Sequence, residues 1–301
     1  MDYTYKAKAP AKVNLYLNIV GVRKDGYHEI RTIFQSLRLC DEIYFEPQAK
    51  GIKIECDNIE IPQDDSNLAY LSAKEFFKYS KINKGVKIKI KKNIPIKAGL
   101  GGGSSDAAVT LFVLNKIFKV NIPLYELIKI GANIGSDVPF FLIGGTALGT
   151  GRGEEVFPLK DIKRFYLLLG LPEMGVSTKD AYKKIDKVLT EKNTSLKIVE
   201  IVRKILAGEF GKEDMFNRFE EVIKEKKILE YKKKLYQSKT EKILLCGSGS
   251  ALFGIFAGKK EAMKNLKKLS VQGNWAVTST FNSREYFNFI TPTTLKKESF
   301  K

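Results

Sequence analysis

Val13, Leu15, Leu17 and Ile19 alternate with Asn14, Tyr16 and Asn18 near the start of the chain. A repeat of two sends successive side chains to opposite faces, so this stretch is predicted as a half-buried strand, and Lys24-Asp25-Gly26 supplies the turn after it. Shorter apolar runs predict further strands over 41–46, 52–56 and 86–91. Leu68, Leu71, Ala73, Phe76 and Phe77 fall near one helical face, which predicts a helix over 67–79.

Residues 95–103 form a glycine-rich loop that runs straight into Ser104-Ser105-Asp106 and then into 107–118, a stretch apolar almost all round. That describes a helix buried inside a domain, with Ser or Asp as its expected N-cap. A second helix is predicted over 124–133, and Pro139 after Ser136 and Asp137 signals another helix start. The pattern breaks over 159–164, and a continuous apolar strand opens at 165–171. Beyond it, two or three lysine-rich helices alternate with strands over 242–246, 252–256 and 275–280. A layered α+β architecture in two domains, 1–160 and 161–281, follows. Residues 282–301 show no clear period and are expected to be a short appended tail; no internal repeat or low-complexity segment is present.

With 301 residues, 44% hydrophobic and 29% charged, the chain is long enough to bury a sizeable core, which excludes a disordered, fibrous or disulfide-framework protein. Lysine and arginine number 52 against 34 acidic residues, a formal charge of +18 that favours anionic partners, either nucleic acid or phosphorylated small molecules. The lysine-rich runs 224–234 and 259–268 interleave glutamate and apolar residues, the mark of solvated amphipathic helices. Aromatic residues do not alternate with the basic ones there, so no base-stacking platform is written in them. Cys40, Cys56 and Cys246 lie far apart and His28 is the only histidine. Zinc-site spacings are therefore missing, no protein-borne metal is expected, and an odd cysteine count fits a reducing cytoplasm. Residues 13–22 are apolar enough to suggest a signal core, but Asn14 and Asn18 interrupt them and no small-residue cleavage pattern follows. No run approaches the roughly 18 apolar residues of a membrane span, so no membrane partner is expected.

Pro95-Ile96-Lys97-Ala98-Gly99-Leu100-Gly101-Gly102-Gly103-Ser104-Ser105-Asp106 is the strongest local signal. Glycines clear side chains from the path of a ligand, so backbone N–H groups can point at phosphate oxygens while the following helix aims its positive end at the same spot. The hydroxyls of Ser104 and Ser105 can donate further bonds and help hold a magnesium ion. It is neither a Walker loop nor G-x-G-x-x-G. Such turns also serve close packing alone; the length of this one favours the anion cradle. Gly247-Ser248-Gly249-Ser250 taken by itself is a hairpin turn. Lys12 and Asn14 share one face of the first strand, where Lys12 is either an edge residue or a functional cation. His28 has no G-x-S-x-G elbow to serve, which argues against a Ser-His-Asp hydrolase. Asp137, set among Ile134, Val138, Phe140 and Phe141, is either a helix N-cap or a base that needs a neighbouring cation to stay ionised.

Pro10-Ala11-Lys12-Val13-Asn14-Leu15, Asp25-Gly26-Tyr27-His28-Glu29, residues 99–107, Gly135-Ser136-Asp137-Val138-Pro139-Phe140-Phe141, Gly151-Arg152-Gly153-Glu154 and Gly247-Ser248-Gly249-Ser250 occur in an order that resembles the GHMP small-molecule kinases, over most of residues 1–256. The resemblance implies a two-lobed fold: an N-terminal domain similar to the second domain of ribosomal protein S5, a ferredoxin-like C-terminal domain, and an active site between them. It implies ATP and Mg2+. Within the family, Tyr27-His28 with Lys12 and Asn14 point to an acceptor in which cytidine diphosphate is linked to methylerythritol, phosphorylated on its 2-hydroxyl in the non-mevalonate route to isoprenoid precursors.

By the same resemblance, Pro95, Ile96, Lys97, Ala98, Gly99, Leu100, Gly101, Gly102, Gly103, Ser104 and Ser105 embrace the ATP phosphates, and Asn67 and Leu68 lie near the adenine. Lys12 and Asp137 form the catalytic pair. Asn14, Tyr27 and His28 bind the cytidine and erythritol portions, Thr178 and Tyr182 close on the cytosine from the second lobe with Tyr27 and Tyr182 as a sandwich, and Gly247 and Ser248 join the substrate site. A monomer or weak homodimer is expected. A homoserine- or mevalonate-type kinase would share the loop but leave Tyr27-His28 and Tyr182 without a reason. A basic RNA-binding protein on an S5-like domain would instead use the +18 charge. Lys97 stands where small or polar residues are usual, and either adds a phosphate contact or faces solvent.

Overall fold

The computed structural model describes residues 3–188 and 195–296. Strand β1 (Tyr3–Val22) is much longer than its alternating centre predicts, and it pairs antiparallel with β2 (His28–Gln48) along nearly its whole length. The register shifts between Pro10 and Lys12, Asn14 and Tyr16, and Ile19 and Gly21. Such irregularities bend a strand and re-aim its side chains. Along β1, Ala7 and Ala9 enter one apolar core, Ala11, Val13 and Leu15 a second, and Leu17 and Ile19 a third.

The first lobe continues through β3 (Ile52–Cys56), α1 (Leu68–Ser80), β4 (Gly85–Lys91), α2 (Gly102–Ile117), α3 (Leu124–Ile134), α4 (Val138–Ile143), β5 (Thr146–Thr150) and β6 (Glu155–Pro158). Its sheet runs β1-β2-β4-β3, with β12 (Thr293–Lys296) on the outer side of β1 and the β5–β6 hairpin on the first half of β2. Helices α1 to α4 bury Phe76, Val109, Leu127 and Phe140 with Phe45 and Ile88 of the sheet. The chain then crosses to β7 (Tyr166–Gly170), α5 (Thr178–Asp186), α6 (Ser195–Ala207), β8 (Phe216–Asn217), α7 (Lys226–Gln237), β9 (Lys242–Leu245), β10 (Leu252–Phe256), α8 (Lys259–Leu269) and β11 (Trp275–Ser279). The second sheet is antiparallel throughout, in the order β11-β7-β10-β9, and the fold is α+β as expected.

Two expectations are corrected. Helix α2 starts inside the glycine loop: Gly101, at φ +73°, is its N-cap without any side-chain bond, so Ser104, Ser105 and Asp106 lie within the helix rather than capping it. A Cβ at Gly101 would crowd the Phe141 ring and the Lys12 stem, so the loop can enter the helix here only through glycine. The tail is not appended. Residues 283–296 form α9 (Ser283–Ile290) and β12 (Thr293–Lys296), which return to the first lobe. Strand β12 pairs with β1, and Tyr286 is fully buried with its hydroxyl donating to the Phe141 carbonyl at 2.6 Å. Residues 297–301 lie outside the described part. Among the described residues, no helix is long and apolar enough to cross a membrane.

Candidate active site

The two glycine-rich segments, far apart in sequence, form one floor. Gly99 is at φ +78°, and a Cβ there would overlap the carbonyl of Cys246. Leu100 O accepts from Lys12 N at 3.0 Å and Ala98 O from Ala251 N at 3.2 Å, which ties the loop to β1 and to the turn between β9 and β10. Asn217 on β8 holds that turn: its amide donates to the carbonyls of Leu245 and Gly247, both at 2.8 Å. The N-terminal N–H groups of α2 emerge beside this floor, where a helix end favours negative charge.

Lys12 is only 5% exposed, which decides against an edge residue. Its ammonium donates to Asn14 Oδ1 at 2.9 Å and lies 3.3 Å from Asp137 Oδ2. Behind it, Asn14 Nδ2 donates to Thr32 Oγ1 and Thr32 Oγ1 to the Tyr16 carbonyl, each at 2.7 Å, a chain that fixes both side chains. Asp137 occupies the N-cap position of α4 but makes no capping bond. Its carboxylate faces Lys12 instead, with its side chain 31% exposed to the cleft.

Beneath the loop lies a buried triad that local sequence patterns do not reveal. Lys92 Nζ bridges Asp41 Oδ2 and Asp106 Oδ2, the latter at 2.8 Å, while Asp41 Oδ1 accepts from the backbone of Asn93 and Ile94 at 2.6 and 2.8 Å. Burial works to lower the Lys92 pKa, but the charges of Asp106 and Asp41 outweigh it and raise it. Burial, partly offset by Lys92, pushes the Asp106 carboxyl up to about 8. Lys92 lies between the two acids, so a cation offsets acidic charge that would otherwise be buried unpaired.

A cleft of about 1100 Å³ gathers nearly all the residues singled out from the sequence. Lys12, Asn14, Asn67, Leu68, residues 95–104 and Asp137 line it from the first lobe, joined by Tyr27 and His28, with Thr178, Tyr182, Gly247 and Ser248 facing them from the second. Ser105 is the exception. It is fully buried, does not line the cleft, and its hydroxyl has no partner among the described residues. Helix α2 starts early enough to turn Ser105 into the core, whereas Ser104 stays at the surface of the cleft. The amide of Asn67 is already used at both ends, capping α1 through Ala69 N at 2.9 Å and donating to the Pro62 carbonyl at 2.7 Å.

Tyr27 and Tyr182 have other partners than each other. Tyr182 stacks on His28 with ring centroids 4.4 Å apart, and its phenol pKa is raised by burial and then by the charge of Asp137. Tyr27, 54% exposed, lies under the Arg152 guanidinium at 4.7 Å. His28 Nε2 and Asp186 Oδ1 are 2.6 Å apart, which joins the two lobes and leaves Nδ1 free to accept when the ring is neutral. Thr178 and Ser248 share a hydroxyl contact at 3.1 Å. Lys97 lines the cleft with its stem close against Gly175, at φ +52°.

Asp186 was within reach of sequence reasoning, since it sits one helical turn after Tyr182. Thr32, Asp41, Lys92 and Asn217 carry no local signal, because their partners are remote in the chain.

Residues 67–145 match the family model described as the GHMP kinases N terminal domain. The chain is 40% identical over 275 residues to the 4-diphosphocytidyl-2-C-methyl-D-erythritol kinase of Clostridium tetani, covering 89% of this chain and 97% of that protein. A crystal structure of a 4-(cytidine 5'-diphospho)-2C-methyl-D-erythritol kinase superposes with a TM-score of 0.77 at 30% identity, over 91% of this chain and 98% of the other. The homoserine kinase of Cytophaga hutchinsonii shares the fold, with a TM-score of 0.72 at 18% identity over 98% of each chain.

Proposed function

The chain belongs to the family of the 4-diphosphocytidyl-2-C-methyl-D-erythritol kinases, a branch of the GHMP kinases, and from that premise we propose that it transfers the γ-phosphoryl group of ATP to the 2-hydroxyl of cytidine-diphosphate-linked methylerythritol, in the non-mevalonate route to isoprenoid precursors. The observation that carries the residue roles is the Lys12–Asp137 pair, 3.3 Å apart in the same cleft as the glycine loop and the Tyr27-His28 pair.

Phosphoryl transfer asks a protein mainly for positioning and for neutralisation of phosphate charge. Residues 99–104 and the start of α2 receive the phosphates. Among the described residues no three His, Cys, Asp or Glu side chains gather to hold a metal. Magnesium keeps several waters and binds through substrate phosphates, so the donor set fits an ion carried in on the nucleotide, with the Ser104 hydroxyl as the nearby oxygen. When bound it neutralises charge on the β- and γ-phosphates. The acceptor oxygen attacks the γ-phosphorus, the bond to the β–γ bridging oxygen breaks, ADP leaves, and Asp137 takes the hydroxyl proton as the new bond forms. Lys12 pairs with that carboxylate and orients the hydroxyl, itself held by Asn14 and Thr32.

The cytosine is read by His28 Nδ1, oriented through Asp186, and is held between Tyr27 and Tyr182. The enzyme is proposed to work in the cytoplasm, as a monomer or weak homodimer, without nucleic acid or membrane partners. Phosphate transfer from MgATP to the cytidyl acceptor, homoserine and mevalonate tests the reading. Turnover on the cytidyl acceptor alone is expected; equal or better turnover on either of the others would overturn it.

A further inference from the structure

Gly151-Arg152-Gly153-Glu154 carries a cation that the phosphoryl-transfer steps leave without a task. Gly151 and Gly153 have φ of +66° and +108°, so the chain makes a sharp turn between β5 and β6 that presents Arg152 to the cleft. The turn is anchored on β2, with Ile30 N donating to the Gly151 carbonyl at 2.8 Å and Gly151 N to Glu29 Oε1 at 3.3 Å. Glu154 then fixes the arginine, accepting from Arg152 N at 2.6 Å and from Nε at 3.1 Å.

That leaves the outer fork. Neither Nη atom has a hydrogen-bond partner among the described residues, and the guanidinium lies 4.7 Å from the centre of the Tyr27 ring. A planar pair of N–H donors, pre-oriented and unpaired, matches two oxygens of one phosphate group. Position supports the match. Arg152 touches Tyr27 at the nucleoside end of the acceptor site, and the next residue, Gly153, approaches the carboxylate of Asp137 at the reacting end. Whatever joins a cytosine at the first point to a hydroxyl at the second passes Arg152. Of the carboxylates near the turn, Glu154 is spent on Nε, Glu29 pairs with Arg23 and Arg31, and Asp25 pairs with Arg23.

We propose that Arg152 binds the diphosphate of the acceptor and thereby selects nucleoside-diphosphate-linked alcohols over uncharged ones. The assignment rests on the acceptor proposed above. It makes Arg152 a specificity-determining residue, distinct from the glycine loop that holds the phosphates of ATP.

The test compares wild type with Arg152→Met and Arg152→Lys, measuring kcat, KM for the acceptor and for MgATP, melting temperature, and inhibition against the acceptor by cytidine and CDP, with ADP as the control for the nucleotide site. Arg152→Met is expected to raise the acceptor KM by about ten- to hundredfold, to lower the wild-type preference for CDP over cytidine by a similar factor, and to leave the MgATP KM and ADP inhibition within about twofold. Arg152→Lys keeps the charge without the fork and is expected to restore part of both losses. An unchanged CDP preference in Arg152→Met would overturn the proposal, as would a parallel loss for both substrates with falling kcat, since that is the signature of a prop for the turn. Failure of the acceptor assignment itself looks different: wild type would neither turn over the cytidyl substrate nor prefer CDP.

Discussion

Lys12 and Asn14 could be singled out from the sequence because polar residues on an apolar strand need a reason, and Asp137 because a carboxylate amid Ile134, Val138, Phe140 and Phe141 needs a partner. What the sequence left open was whether the two stand apart, and the geometry brings them together: a 5% exposed lysine and a non-capping aspartate face one another. Thr32 and Arg152 were not recognisable in the same way, since a threonine on a strand and an arginine in a turn are ordinary. Thr32 nonetheless holds Asn14 and through it Lys12. Replacing it by the near-isosteric valine strands the Asn14 amide, a cost of about 1–3 kcal/mol in a buried site. Thr32→Val is therefore expected to lower kcat by about tenfold with the MgATP KM nearly unchanged. Steady-state kinetics check this, and an unaltered kcat would detach Thr32 from the reaction.

Elements were legible where one period dominates, as in β1 and α1, and illegible where packing sets the boundary. Helix α2 begins at Gly102 because Gly101 can turn where a side chain would meet Phe141, and the β5–β6 hairpin was hidden by its short strands. At the loop, Gly99→Ala puts a methyl group into the Cys246 carbonyl at positive φ. The combined strain and clash are expected to cost about 1–3 kcal/mol and to weaken ATP binding before acceptor binding. Calorimetric titration of both ligands reads the order, and equal weakening would mean that the loop serves the whole cleft.

The triad joining β2 to α2 makes the stability pH-dependent. Unfolded, Asp106 titrates near 3.8; folded, near 8, so between these values the folded chain holds a proton that the unfolded chain has lost. Stability from this group therefore falls as pH rises through that window. Asp106→Asn cannot titrate, so urea melts at about pH 5 and about pH 8 are expected to show a flatter decline than wild type. An equally steep decline would assign the pH dependence to other groups.

The lobes are not beads on a linker. Val13 and Leu15 of β1 share a core with Leu167, Leu244 and Phe253 of the second sheet, so the floor of the cleft is a packed interface. The sequence gives no sign that 283–296 return to the first lobe, because α9 is short and the partners of this segment, Phe141 and β1, lie far back in the chain. Tyr286→Ala empties a fully buried ring site and is expected to cost about 3–5 kcal/mol in denaturant melts, whereas a loss below about 1 kcal/mol would mean that the segment is dispensable. We propose that this interface brings nucleotide phosphates and an acceptor hydroxyl together at Lys12 and Asp137. Measuring kcat and the ATP dissociation constant of Asp137→Asn side by side decides whether it does. A fall in kcat of about 10²–10⁴ with ATP affinity within about twofold is the outcome this chemistry requires; near-normal turnover would contradict it.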